Sequence, residues 1–235
     1  MSVLPLVLLP GTLCDERLWA RMLSFMPDAV EVVTPRYGKG SSMTEVVASL
    51  RKELPARFAL AGFSLGGLAA LELVRQAPES VDRLALICSH AQADTPAGSQ
   101  ARQDQLELAR SRGLEALVSE QFVPAGLRAS HPGYSESERL IRQMAIDTGL
   151  QGFERQTLMA ITRRDQHDVL AAFSRPTLLL ASTGDALCLP EKPTSADAAS
   201  PTSRLVWVEG ASHYLPLEQP ESVAEGLARW LRQAE

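Results

Sequence analysis

Cysteine is scarce in this 235-residue chain: Cys14, Cys88 and Cys188 are the only three, widely spaced and odd in number. That pattern excludes a disulfide framework and fits a reducing, cytoplasmic setting. An excess of positive charge is also lacking. Lys and Arg number 23 against 28 Asp and Glu, for a formal net charge of −5. A nucleic-acid partner needs a cationic footprint, so that class of function is set aside. Long hydrophobic runs are missing too. The opening MSVLPLVLLPGT is apolar but too short to span a bilayer, and no basic segment precedes it. It is read as a buried strand, with no membrane span expected anywhere. No group of His, Cys and acidic residues has metal-ligand spacing, and no cofactor motif is complete. Gly38-Lys39-Gly40 is only a fragment of a phosphate loop. The expectation is a protein with neither metal nor cofactor.

What is present is an ordinary globular composition, 45% hydrophobic and 22% charged. The length suits one substantial domain. Short apolar runs recur at Pro5–Pro10, Val30–Thr34, Phe58–Phe63, Leu84–Cys88, Thr177–Ser182 and Leu205–Val208. Each is nearly continuous and not alternating, as expected of strands buried on both faces of a parallel sheet. Helical patterns fall between them. Ser42-Met43-Thr44-Glu45 reads as a capping box opening a helix to about Leu54. Another helix is expected from Leu65 to about Gln76, stopping before Pro78. Val223, Leu227, Trp230 and Leu231 give a final amphipathic helix.

The stretch 91–168 breaks this rhythm. It is rich in Gln, Arg and Glu and has no strand-like run. Several short amphipathic helices are expected, one capped in Ser135-Glu136-Ser137-Glu138. The organisation is therefore an α/β core, 1–90 and 169–235, with a helical lid, 91–168, inserted in it. Glu191–Ser203 reads as an exposed loop with one short helix.

Chemistry concentrates at Gly62-Phe63-Ser64-Leu65-Gly66. An apolar strand ends at this G-x-S-x-G pattern and an apolar helix begins after it. Such a strand–turn–helix strains the serine backbone and projects its hydroxyl beyond the sheet, with glycines where the chain passes closely. Ser64 is the candidate nucleophile. A serine needs a base, and a neutral imidazole suits pH 7. His213 follows the last strand through a glycine-containing loop and is the preferred base. His90 is its competitor, while His131 and His167 read as exposed polar residues. Asp185 closes the fifth strand and is the candidate acid, with Glu209 and Asp165 in reserve. The order Ser64, Asp185, His213 matches one of the known orders of such triads. Two backbone donors must hold the oxyanion. Leu65 supplies one, and Thr12, after the first strand, supplies the other, with Leu13 as second choice. Cys14 is read as a packed thiol.

With these residues in place, the chain resembles the α/β-hydrolase superfamily over nearly its full length. The matching blocks are LVLLPGTLCDERLW, FALAGFSLGGLAALEL, TLLLASTGDALCLP and VEGASHYLPLEQPESVAEGLARWL. Within the superfamily it is most similar to small bacterial carboxylesterases of the pimeloyl-acyl-carrier-protein methyl ester esterase type. The resemblance implies a sheet of about six strands, helices on both faces and a helical lid. It implies hydrolysis of small to medium carboxylic esters through an acyl-enzyme, with a small-molecule ester as the partner. Thioesterases, lactonases and carbon–carbon bond hydrolases share the same triad. A non-catalytic ligand-binding protein on this fold is the rival of another class. Two departures stand out. Most relatives carry His-Gly where this chain has Pro10-Gly11; that residue usually braces the oxyanion loop and is not a proton carrier, so activity is expected to survive. The chain also begins at the strand usually numbered third, so the opening antiparallel hairpin is expected to be absent.

Overall fold

The computed structural model describes residues 4–27 and 30–232. Six strands build one sheet in the order β2-β1-β3-β4-β5-β6, and every neighbouring pair runs parallel. They are β1 (Leu6–Leu9), β2 (Val32–Val33), β3 (Phe58–Phe63), β4 (Val81–Ile87), β5 (Thr177–Ser182) and β6 (Ser203–Val208). The continuous apolar runs have a direct cause. Leu6, Leu8, Ala59, Ala61, Ala85 and Ile87 enter one hydrophobic core. Their neighbours Val7, Leu9, Phe58, Leu60, Leu84 and Leu86 enter the other. Successive side chains point to opposite faces, and both faces are covered by helices. Each fully buried Leu or Ile contributes about 1.5–3 kcal/mol of hydrophobic stabilisation.

The helices follow local signals. Ser42 caps the helix Met43–Leu50 by accepting from the Glu45 N–H. The Glu45 carboxylate returns to the N–H and hydroxyl of Ser41, one residue earlier than a standard capping box. The helix Leu65–Gln76 buries ten of its twelve residues between sheet and surface. In the final helix, Pro220–Leu231, Val223, Leu227 and Trp230 form the buried stripe.

Between β4 and β5 the chain holds helices and loops and no strand. It contains two long helices, Pro96–Arg112 and Tyr134–Thr162, joined by shorter pieces. The shorter pieces match the expectation of several short helices, and the two long ones exceed it. Only Ala109 of Pro96–Arg112 is buried, so that helix carries little apolar periodicity. Tyr134–Thr162 breaks at Gly149, whose φ of +69° no helix continues through. The expected cap at Ser135 is corrected. Gly133 occupies the cap position, and its N–H donates to His131 Nδ1. Glu191–Ala199 is the one helix expected within Glu191–Ser203, and it takes up nine residues of that stretch. No helix among the described residues is long and apolar enough to cross a membrane.

The strand order sets the location of the site. From β1 the chain moves outward to β2, then returns to the other side of β1 as β3. Crevices open at such reversals, beyond the carboxyl ends of the strands. Thr12 follows β1 and Ser64 follows β3 at this place.

Candidate active site

Ser64 occupies the turn between β3 and the helix Leu65–Gln76, with φ 53° and ψ −116°. A side chain in that region of backbone space costs on the order of 1–3 kcal/mol and is held by its surroundings. Here the Ser64 N–H donates to Ile87 O at 2.9 Å, and the Ser89 hydroxyl donates to Ser64 O at 2.8 Å. The flanking glycines are required by close approach. A Cβ on Gly62 would lie 2.2 Å from Gly66 O, and one on Gly66 would lie 2.0 Å from Leu9 O.

The structure brings Ser64, His213 and Asp185 together from three strand ends. His213 Nε2 lies 2.9 Å from Ser64 Oγ, and His213 Nδ1 lies 2.8 Å from Asp185 Oδ2. Asp185 is buried, and its other oxygen accepts the N–H groups of Leu187 and Cys188, each at 2.8 Å. Burial alone would raise its pKa. The hydrogen bond and charge of His213, with these two N–H groups, outweigh burial and hold the carboxyl below its ordinary 3.8. An ionised Asp185 fixes the tautomer that leaves Nε2 of His213 able to accept a proton from Ser64.

The imidazole is braced on several sides. Phe63 and Tyr214 pack around it, with ring centroids 5.1 and 6.0 Å from its own. The loop before it is held by Glu218, which is buried. One Glu218 oxygen accepts the Ser212 N–H and the other the Arg128 N–H, both at 2.7 Å.

The other candidates fall elsewhere. His90 lines the same cavity, but its Nδ1 accepts the Gln92 N–H and no bond joins it to Ser64. His131 is half-buried and contacts Glu218 O and the Gly133 N–H, so it is structural and not an exposed residue. Glu209 is exposed, and Asp165 pairs with His167. His167 is also hydrogen-bonded to Ser195 Oγ at 2.9 Å, which completes a second Asp–His–Ser chain. Ser195 sits inside the helix Glu191–Ala199, without a strained turn to present it. Connectivity alone therefore does not distinguish the two chains; the turn at Ser64 does.

Of the expected oxyanion donors, Leu65 is the first residue of its helix, so its N–H has no acceptor within that helix. Thr12 lines the cavity beside Ser64. Leu13, the second choice, has a φ of +56°, and its N–H donates to Gln156 Oε1 at 2.8 Å. That leaves Thr12 as the better placed of the two. The bracing that Pro10 cannot provide comes from Gln156 and from Tyr37, whose hydroxyl donates to Pro10 O at 2.6 Å. Cys14 is buried and its thiol approaches Thr12 O, with burial pushing its pKa far up.

The cavity has a volume of about 610 Å³. Phe122 and Phe153 line it and meet edge to face, whereas Tyr134 and Met144 pack into the core. Cys88, Asp185 and His213 offer ligand atoms within 4.8 Å of one another. Two of them already bond each other, and burial keeps the Cys88 thiol protonated. The group fits acid–base chemistry better than a metal.

A parallel sheet, a strained serine at a strand–helix turn and a His–Asp pair from the last two strand ends define a class of hydrolytic enzymes. The chain belongs to the alpha/beta hydrolase family, which matches residues 6–226. Among similar proteins is one of Agrobacterium fabrum provisionally named carbamate hydrolase RutD. It is 27% identical over 199 residues, spanning 81% of this chain and 72% of its own. A pimeloyl-[acyl-carrier protein] methyl ester esterase of Aromatoleum aromaticum is 35% identical over 89 residues, 35% of this chain and 36% of its own. The solved thermophilic esterase of Thermogutta terrifontis superposes with a TM-score of 0.86 at 26% identity, covering 97% of this chain and 89% of that one.

Proposed function

We propose that this hydrolase cleaves small to medium carboxylic esters through an acyl-enzyme on Ser64. The observation that carries the reading is the hydrogen-bonded chain Ser64–His213–Asp185, opening at a strained turn into a cavity. Ser64 Oγ attacks the ester carbonyl as His213 Nε2 takes its proton. The N–H groups of Thr12 and Leu65 hold the oxyanion. Collapse breaks the bond to the alkoxide, which leaves with the proton from His213. Water, deprotonated by His213, then attacks the acyl-serine, and the acid is released as His213 returns that proton to Ser64 Oγ. Asp185 stabilises the imidazolium throughout. The helices between β4 and β5 act as a lid and supply the acyl pocket through Phe122 and Phe153. No metal or cofactor takes part in this scheme. Three buried free thiols support a cytoplasmic setting.

A fluorophosphonate probe and a panel of p-nitrophenyl esters, a lactone and an acyl thioester test this reading. Labelling confined to Ser64 and turnover of the esters are expected. Both disappear in Ser64→Ala, and His213→Ala loses several orders of magnitude in rate. Lactone or thioester turnover without ester turnover reassigns the substrate. Folded protein that neither labels nor turns over any of them is a binding protein and not an enzyme.

A further inference from the structure

Several hydrogen-bond donors and cations line the cavity, among them His90, Thr157, Arg102 and Lys192. His90 is 8% exposed and lines the cavity. Its Nδ1 accepts the Gln92 N–H, so a neutral ring carries its proton on Nε2, which has no partner among the described residues. Thr157 is 4% exposed, lines the same cavity, and its hydroxyl likewise has no partner there. Arg163 joins the two segments by donating to Ala160 O and Gln92 O.

The charges around His90 are unequal. Arg163, Lys192 and Arg102 act on it against the single carboxylate Asp94. Asp94 is already engaged by Arg163, Arg102 and the Ser99 hydroxyl. Lys192 and Arg102 both line the cavity. The Lys192 ammonium donates to Leu187 O at 3.2 Å and has no carboxylate partner among the described residues. Glu120 also lines the cavity, but it is paired with Arg112. A buried N–H donor beside an uncompensated ammonium is a poor place for an alkyl chain and a good one for an anion.

The geometry points to a carboxylate-binding subsite at His90, Lys192 and Arg102, so that the preferred substrates are half-esters of dicarboxylic acids. This rests on the esterase reading and names its substrate class. The ester carbonyl sits at Ser64 while the free carboxylate accepts from His90 Nε2–H and the two cations. The Thr157 hydroxyl is a further donor in the cavity.

The test compares kcat/KM for monomethyl adipate and methyl hexanoate, alongside calorimetric binding of adipate and hexanoate to folded Ser64→Ala. The half-ester is expected to be preferred by roughly ten- to a hundredfold, as one or two charge-assisted hydrogen bonds imply. That ratio falls with added salt and collapses toward one in the Lys192→Gln/Arg102→Gln double variant, whose folding is checked by its melting temperature. Adipate binds more tightly than hexanoate, and the difference is lost when the double change is added to Ser64→Ala. Equal or reversed preference, or a ratio unmoved by the double variant, overturns the subsite while leaving the esterase reading intact. If neither ester is turned over, calorimetry decides. Tighter adipate binding that depends on Lys192 and Arg102 upholds the subsite as the esterase reading falls, and its absence overturns the subsite too.

Discussion

The N–H of Leu13 donates to the side-chain oxygen of Gln156 at 2.8 Å, joining the loop after β1 to a helix 143 residues further along. Leu13 is left-handed and Thr12 precedes it, so this bond holds the peptide that joins the two residues. Gln156→Leu orphans a buried N–H, at a cost of about 1–3 kcal/mol, and loosens the loop. Steady-state kinetics are expected to show kcat reduced by about 10- to 100-fold with a smaller change in KM. Gln156→Glu keeps an acceptor for Leu13 and recovers most of the rate. Equal losses in both variants would point to the amide end of Gln156 instead.

His90 makes folding stability depend on pH. Burial, then Arg163, Lys192 and Arg102, push its pKa from 6.5 down to about 3, with Asp94 opposing. Between those values the unfolded chain binds the extra proton and the folded chain does not. Stability is therefore full above about pH 6.5 and falls as the pH drops toward 3, by an amount on the order of a few kcal/mol. Urea unfolding at a series of pH values measures this. His90→Phe flattens the slope across that window.

Acid also reaches the Ser64 site through Asp185. Its carboxyl is held below 3.8, so the support it gives His213 is present above the ordinary carboxylate range and is lost only as the pH falls through that depressed value. Asp185→Asn removes the negative charge and lowers kcat by about 10⁴, as in other triads.

Glu218 offers a test of how the His213 loop is held. Its carboxylate accepts the Ser212 N–H from that loop and the Arg128 N–H from the helical segment between β4 and β5. Glu218→Ala is expected to lower stability by roughly 3 kcal/mol, counting two charge-assisted bonds. Fluorophosphonate labelling of Ser64 slows as well, because the imidazole loses its fixed position. A variant with wild-type melting and labelling would remove Glu218 from this role.

Gly66 shows how little room the Ser64 turn leaves. In Gly66→Ala the new methyl meets Leu9 O, a backbone atom of the central sheet that cannot rotate away. The loss is expected to exceed about 3 kcal/mol, beyond ordinary overpacking. Thermal denaturation reads it directly.

The members of the hydrogen-bonded chain were legible in the sequence for a physical reason. Ser64 lies in a local turn that needs glycine at fixed positions, while Asp185 and His213 each sit just past a continuous apolar strand. Gln156 left no such trace. A glutamine on a polar helix looks like any other, and its partner is far away in sequence. Glu218 was hidden similarly, since nothing local marks an acidic residue as buried. The helices between β4 and β5 were the least readable part of the fold. Pro96–Arg112 buries a single residue, so sequence periodicity had almost nothing to report there.

The insertion begins and ends at one point. β4 and β5 are adjacent in the sheet, and the Gln166 N–H donates to Ala91 O where the helical segment leaves and rejoins the core. The sheet register is thus indifferent to what lies between them, which makes the segment a replaceable cassette. Its freedom has limits: Gln156 must still receive Leu13, Gly126 O must still receive the Tyr214 N–H, and the Arg128 N–H must still reach Glu218. A graft that keeps those contacts carries a new specificity onto unchanged chemistry, whereas one that drops them disarms the enzyme even though no residue of the Ser64–His213–Asp185 chain has been touched.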